Sequence, residues 1–233
     1  FGATMKDPQP NEILKELTER DGIGNDDFFF VLLNGYNDRQ QSLQFIVTAA
    51  GVQYDAKMTN DNEDSSWNGI WYSAVKINEE GWVAEIFIPY AELRFPNKNV
   101  QEWGLNMERE FRRARTRYSW SHIDNTKGSF SLYDGEVYGI ENIKSPTRLS
   151  FQPYVSAYVN DYDGKTQTVL NGGMDLKYGI NDAFTLDMIL IPDFGQSKFD
   201  NEILNLSAFE TQYEENRGFF TEGTELFTKG NLF

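Results

Sequence analysis

The chain has no cysteine and a single histidine in 233 residues. The first absence excludes a disulfide framework and any thiolate metal centre. The second, His122, leaves no means of building a multi-histidine metal site, and a histidine-based triad is hard to assemble around it. Basic charge is also scarce: 21 Lys and Arg face 36 Asp and Glu, a formal net charge of −15. Phosphate backbones need a basic surface, so nucleic acid is not an expected partner. No apolar run approaches the roughly 18 residues of a membrane-spanning helix, and the N-terminus lacks a basic-then-apolar leader. There is no Gly-x-Ser-x-Gly elbow and no phosphate-binding loop. Phe1-Gly2-Ala3 opens without an initiator Met, as if inside a strand, which predicts a fragment or a processed chain.

What is present is aromatic and strand-forming. Hydrophobic residues make up 39% and aromatics 15%, ample for a folded core. Short apolar runs separated by Asn, Asp and Gly predict an all-β, antiparallel architecture. In Gly81–Phe95, Trp82, Ala84, Ile86 and Ile88 alternate with Val83, Glu85 and Phe87, a half-buried strand that Pro89 terminates. Leu93 and Phe95 then return to the core through a tight corner. Phe28 to Leu33 is uniformly apolar, a strand buried on both faces, and forms a hairpin with Leu43–Val47. Another hairpin turns at Asn78–Gly81. Residues 7–21 carry the one expected helix, with Pro8 or Pro10 near its start and Ile13, Leu14 and Leu17 on one side.

From Leu149 the chain becomes a series of segments of roughly ten residues, apolar on one face and polar on the other, with polar turns such as Asp163-Gly164. Two structures produce that alternation: strands of an outer-membrane β-barrel, or a second sheet with one wet face.

Trp71, Gly81-Trp82, Glu85, Ile88-Pro89, Leu93-Arg94-Phe95 and Trp103-Gly104-Leu105-Asn106 together resemble the second half of a carbohydrate-binding family 9-like domain, a jelly-roll-type β-sandwich. Asp175-Leu176-Lys177-Tyr178-Gly179, Pro192-Asp193-Phe194-Gly195-Gln196, Asn205-Leu206-Ser207-Ala208-Phe209-Glu210 and Arg217-Gly218-Phe219-Phe220-Thr221-Glu222-Gly223 are similar to a family of uncharacterised bacterial envelope proteins that join this sandwich to an outer-membrane barrel. The resemblance implies a sandwich over 1–146, lacking its first strands, and over 147–233 the hairpins that begin a barrel. It also implies a bacterial outer-membrane location and an oligosaccharide or polysaccharide partner. The function it suggests is non-catalytic carbohydrate binding. A structural or transport role without glycan binding, or a carbohydrate-active hydrolase, would fit the same architecture.

Sugar binding uses aromatic rings stacked on pyranose faces, which makes Trp67, Trp71 and Trp120 the candidates; a core role is the alternative for each. Trp82 and Trp103 are expected in the core. Arg109, Arg113, Arg115 and Arg117 are expected on one face of a strand, either paired with acidic neighbours or, through Arg113 and Arg115, binding an anionic glycan or lipopolysaccharide phosphate. Oxygen-rich turns suit calcium, which family 9-like sandwiches often carry, and Asp26, Asp27, Asp61 and Asp64 are the candidate ligands, with Asp38 also in a turn. No EF-hand loop is present, because Ser65 stands where the required Gly would be; a solvated acidic loop is the alternative. Glu85, Glu92, Glu108 and Glu110 could supply a hydrolytic pair, but so acidic a chain yields such pairs by chance.

Overall fold

The computed structural model describes residues 1–59, 62–124, 126–144, 147–162, 164–180 and 184–191. Among these, all regular structure is β-strand except three single turns of 3-10 helix, and every strand pairing is antiparallel. The chain divides into two compact units, Phe1–Pro146 and Thr147–Phe233.

The first unit is a β-sandwich. Its strands are β1 (Gly2–Lys6), β2 (Phe28–Asn34), β3 (Gln41–Thr48), β4 (Gln53–Thr59), β5 (Asn62–Asp64), β6 (Tyr72–Asn78), β7 (Gly81–Phe87), β8 (Val100–Phe111), β9 (Thr116–Ser119) and β10 (Gly135–Glu141). One sheet has the order β1-β7-β6 and the other β10-β8-β2-β3-β4-β5, with β9 folded back on β8. The core lies between them: Met5, Trp82, Ala84 and Ile86 meet Phe29, Val31, Leu33, Phe45, Val47, Trp103 and Leu105. As the alternation predicts, Trp82, Ala84 and Ile86 are buried while Glu85 and Phe87 on the other face are exposed. The strand stops two residues before Pro89, and Leu93 and Phe95 are buried after the corner.

β2 is buried at every position. Its odd-numbered residues enter the sandwich core, and Phe28, Phe30 and Leu32 join Ile46, Tyr54 and Met58 in a second cluster. Strand residues alternate faces, so a continuous apolar run here means apolar surroundings on both sides. The β2–β3 and β6–β7 hairpins form as expected.

Two expectations are corrected. Residues 7–21 do not form a helix; only Pro10–Glu12 make a 3-10 turn. Ile13 is the sole buried hydrophobic residue of this segment, and Leu17 is 83% exposed, so no apolar stripe is there to dock a helix. Its polar groups instead engage the following turn: Asp27 N–H donates to the Leu14 carbonyl at 2.9 Å, Asn25 N–H to Glu16 Oε2 at 2.8 Å, and Glu16 N–H to Asp26 Oδ1.

The arginines likewise do not share a strand face. β8 ends at Phe111, Arg112–Ala114 turn, Arg115 takes a left-handed conformation (φ 52°), and the chain returns as β9. This places Arg117 opposite Glu110 in register. Phe111 receives the guanidinium groups of Arg109 and Arg113, each 5.0 Å from its ring centre.

The second unit contains β11 (Leu149–Tyr162), β12 (Lys165–Gly179) and β13 (Thr185–Leu190) in one up-and-down sheet.

Candidate functional site

β8 determines the site by its alternation. Trp103 and Leu105 point to the sandwich core, so Asn106, Glu108 and Glu110 fall on the opposite face, where all three are buried. A buried carboxylate must be compensated. For Glu110 the compensation is Arg117, whose Nε donates to Oε2 at 2.7 Å, with Arg112 at 3.6 Å from Oε1. Glu108 is placed differently. Burial pushes its carboxyl above the ordinary range; Arg117 opposes this and the Glu110 charge adds to it.

Beside Glu108 opens a recess of about 490 Å³, lined also by Arg117, Ser119, His122 and Asp124, with Ile123 and Phe130 as apolar walls. The size is that of a small-ligand site. Thr126 holds the Asp124 carboxylate below its usual range through its hydroxyl and N–H. Carboxyl, guanidinium, imidazole and hydroxyl groups thus face one volume, a donor and acceptor set suited to a hydroxyl-rich molecule. Glu110 does not line it and is held by two arginines, so the carboxyl groups that border the recess are those of Glu108 and Asp124.

The predicted stacking residues separate. Trp67 and Trp71 are 9% and 4% exposed and pack edge-on to Phe45, with ring centres 5.8 and 5.5 Å away. Trp71 Nε1 donates to buried Asp55 Oδ1 at 3.1 Å. Both belong to the core, as do Trp82 and Trp103. Trp120 is 55% exposed and lies over Gly135, where a side chain would collide with the indole.

Arg113 is engaged within the protein: its Nη2 donates to buried Asp7 at 2.9 Å, and Glu12 lies 3.6 Å away. Arg115 is exposed at its turn. Among the described residues no three acidic or histidine side chains converge as a metal site. Asp27 Oδ1 accepts the Arg112 N–H at 3.0 Å, Asp26 faces Glu16, Asp64 Oδ1 accepts the Ser66 N–H at 3.0 Å, and Asp38 Oδ1 accepts from Asn34, Gln40 and Gln41. Asp61 lies outside the described residues. The sequence reading missed the recess because Glu108 meets His122 and Phe130 only through a loop that leaves and rejoins the sheet; its one local signal was the polar alternation Asn106, Glu108, Glu110.

In the second unit the cross-strand register aligns Leu149, Tyr178 and Leu186, then Phe151, Leu176 and Met188, then Pro153, Met174 and Leu190. Val155 and Leu170 continue this face, 79% and 72% exposed. Ser150, Gln152, Asp175, Lys177 and Asp187 occupy the other face. One face of the sheet is therefore continuously apolar and largely exposed while its reverse is mainly polar.

No curated protein and no solved structure matches the chain. Residues 145–233 match a family described as a domain of unknown function, DUF5916.

Proposed function

We propose that this chain is a non-catalytic, carbohydrate-binding-like β-sandwich carried by strands of an outer-membrane β-barrel, acting at the bacterial envelope. The observation that carries the reading is the two-sided chemistry of β11–β13. An exposed apolar face is unfavourable in water, whereas a barrel turns such a face to lipid and its polar reverse to the lumen. β11 and β12, at 14 and 15 residues, exceed the roughly 9–11 residues a tilted strand needs to cross the hydrocarbon layer. The ligand half of the proposal rests on the recess at Glu108, Arg117 and His122, whose volume and polar lining fit part of an oligosaccharide better than an extended polymer.

Spin labels at Val155, Leu170 and Met188, and at Gln152, Asn171 and Asp187, in the chain reconstituted with lipid, test the membrane half. The first set should be relaxed by lipid-soluble oxygen and the second by a water-soluble nickel chelate. Equal access of the chelate to both sets would refute it. A glycan array with wild type and Glu108→Gln tests the ligand half: a hit weakened by the substitution supports it. Absence of any hit favours a structural or transport role, and release of new reducing ends from a hit would make the protein a hydrolase.

A further inference from the structure

Of the three polar side chains that β8 buries on the face away from the core, two are engaged within the protein. Asn106 Oδ1 accepts the N–H groups of Met107 at 2.9 Å and Ser121 at 3.1 Å, and Glu110 is held by Arg112 and Arg117. Glu108 is the exception. It is 3% exposed and borders the recess, yet among the described residues no hydrogen bond or ion pair reaches its carboxyl. A buried carboxylate without a partner is costly, and such groups call for a counter-charge or a proton. Arg117 lines the same volume, but its Nε is committed to Glu110 Oε2 at 2.7 Å and its guanidinium lies 5.6 Å from the centre of the Phe28 ring.

The second carboxyl on the recess is kept ionised. Thr126 donates to Asp124 Oδ1 through its hydroxyl and through its N–H at 3.0 Å. Lys127 Nζ stands 3.6 Å from Asp124 Oδ2, an exposed ion pair that an incoming cation displaces at little cost. Beside these two carboxyls, Ser119, His122 and Arg117 offer partners for hydroxyls, and Phe130 offers an apolar wall for a sugar ring. The net charge of −15 draws cations rather than anions toward such a site. We infer that the recess recognises an amino sugar with a free amine, whose ammonium is received by Glu108 and Asp124 while its ring lies against Phe130. The inference rests on the carbohydrate-binding reading of this recess and names the class of glycan taken there.

Calorimetric titration of the 233-residue chain with glucosamine, galactosamine and mannosamine tests this, each compared with its N-acetyl derivative and its neutral parent sugar at mildly acid pH. At least one amino sugar should bind about 10- to 100-fold more tightly than both of its counterparts, the range set by a charge-assisted hydrogen bond. Glu108→Gln keeps the shape of the side chain and removes its charge, and should erase that preference. Asp124→Asn, on an exposed loop, should reduce it several-fold and keeps the test available if Glu108→Gln does not fold. Neutral or acetylated sugars that bind as tightly as the amino sugars would overturn the inference and leave the carbohydrate reading standing. Absence of binding by every sugar would remove both. Propylamine binding as tightly as the amino sugars would also overturn it, since the ring would then contribute nothing, as would a preference that survives in folded Glu108→Gln and in Asp124→Asn.

Discussion

Asp134 should impose a measurable pH dependence on the sandwich. Burial raises its carboxyl from 3.8 to about 7, with Arg39 partly opposing the rise. The unfolded chain releases this proton near pH 4 and the folded protein only near pH 7, so between these values the folded state binds more protons. Stability contributed by this residue is complete below about pH 4, falls as pH rises, and is lost above about pH 7. At about 1.36 kcal/mol per pH unit the full difference is on the order of 4 kcal/mol, and relaxation around the charge should leave roughly half of it. Asp134→Asn removes the titration at nearly constant volume. The variant should therefore gain about 2 kcal/mol over wild type between pH 4 and pH 7.5. With a urea dependence of about 1–3 kcal/mol per molar, that moves the midpoint by on the order of 1 M. All five tryptophans lie in the first unit, so their fluorescence reports the sandwich alone. Glu108, Asp26 and Asp27 are also raised by burial, and the difference between the two profiles cancels them. Parallel profiles for wild type and Asp134→Asn would refute the reasoning.

The remaining predictions concern the core and one turn. Trp67→Ala should cost about 3–5 kcal/mol and depress the melting temperature strongly, because it empties a site packed against Phe45; the surface-stacking role considered from sequence required an unchanged melting temperature. Gly81 has φ +140°, and a Cβ there would sit 2.0 Å from the Met5 carbonyl oxygen, so Gly81→Ala should cost more than about 2 kcal/mol and detach β1 in hydrogen exchange. Gly2→Ala, with open space around its Cβ, is the control.

The strands were legible because their signal is local. Alternation in Trp82–Ile86, the doubly apolar Phe28–Leu33 and the Asn78–Gly81 turn each follow from side-chain period and turn chemistry within a few residues. The helix expected over residues 7–21 failed on the same ground: the local pattern of Ile13, Leu14 and Leu17 favoured it, but the turn at Asn25–Asp27 took the backbone partners and only Ile13 found a core. For the tryptophans the sequence fell short, since a Trp after a polar loop is equally compatible with a binding edge and with a core. The position of Phe45 decided Trp67 and Trp71, whereas Trp120 lies over the bare backbone of Gly135 with more than half of its surface exposed.

By itself, then, the sequence determined an all-β chain, the strand faces and the two-sided character of the segments after Leu149, because each depends on neighbours along the chain. Only the tertiary structure decided the fate of the charges. Arg113 meets Asp7 across 106 positions, Glu108 joins His122 around one recess, and Asp134 is buried with neither carboxylate oxygen hydrogen-bonded. Electrostatic partners are chosen by distance in space and by loss of water, and neither is written in a residue's immediate neighbours.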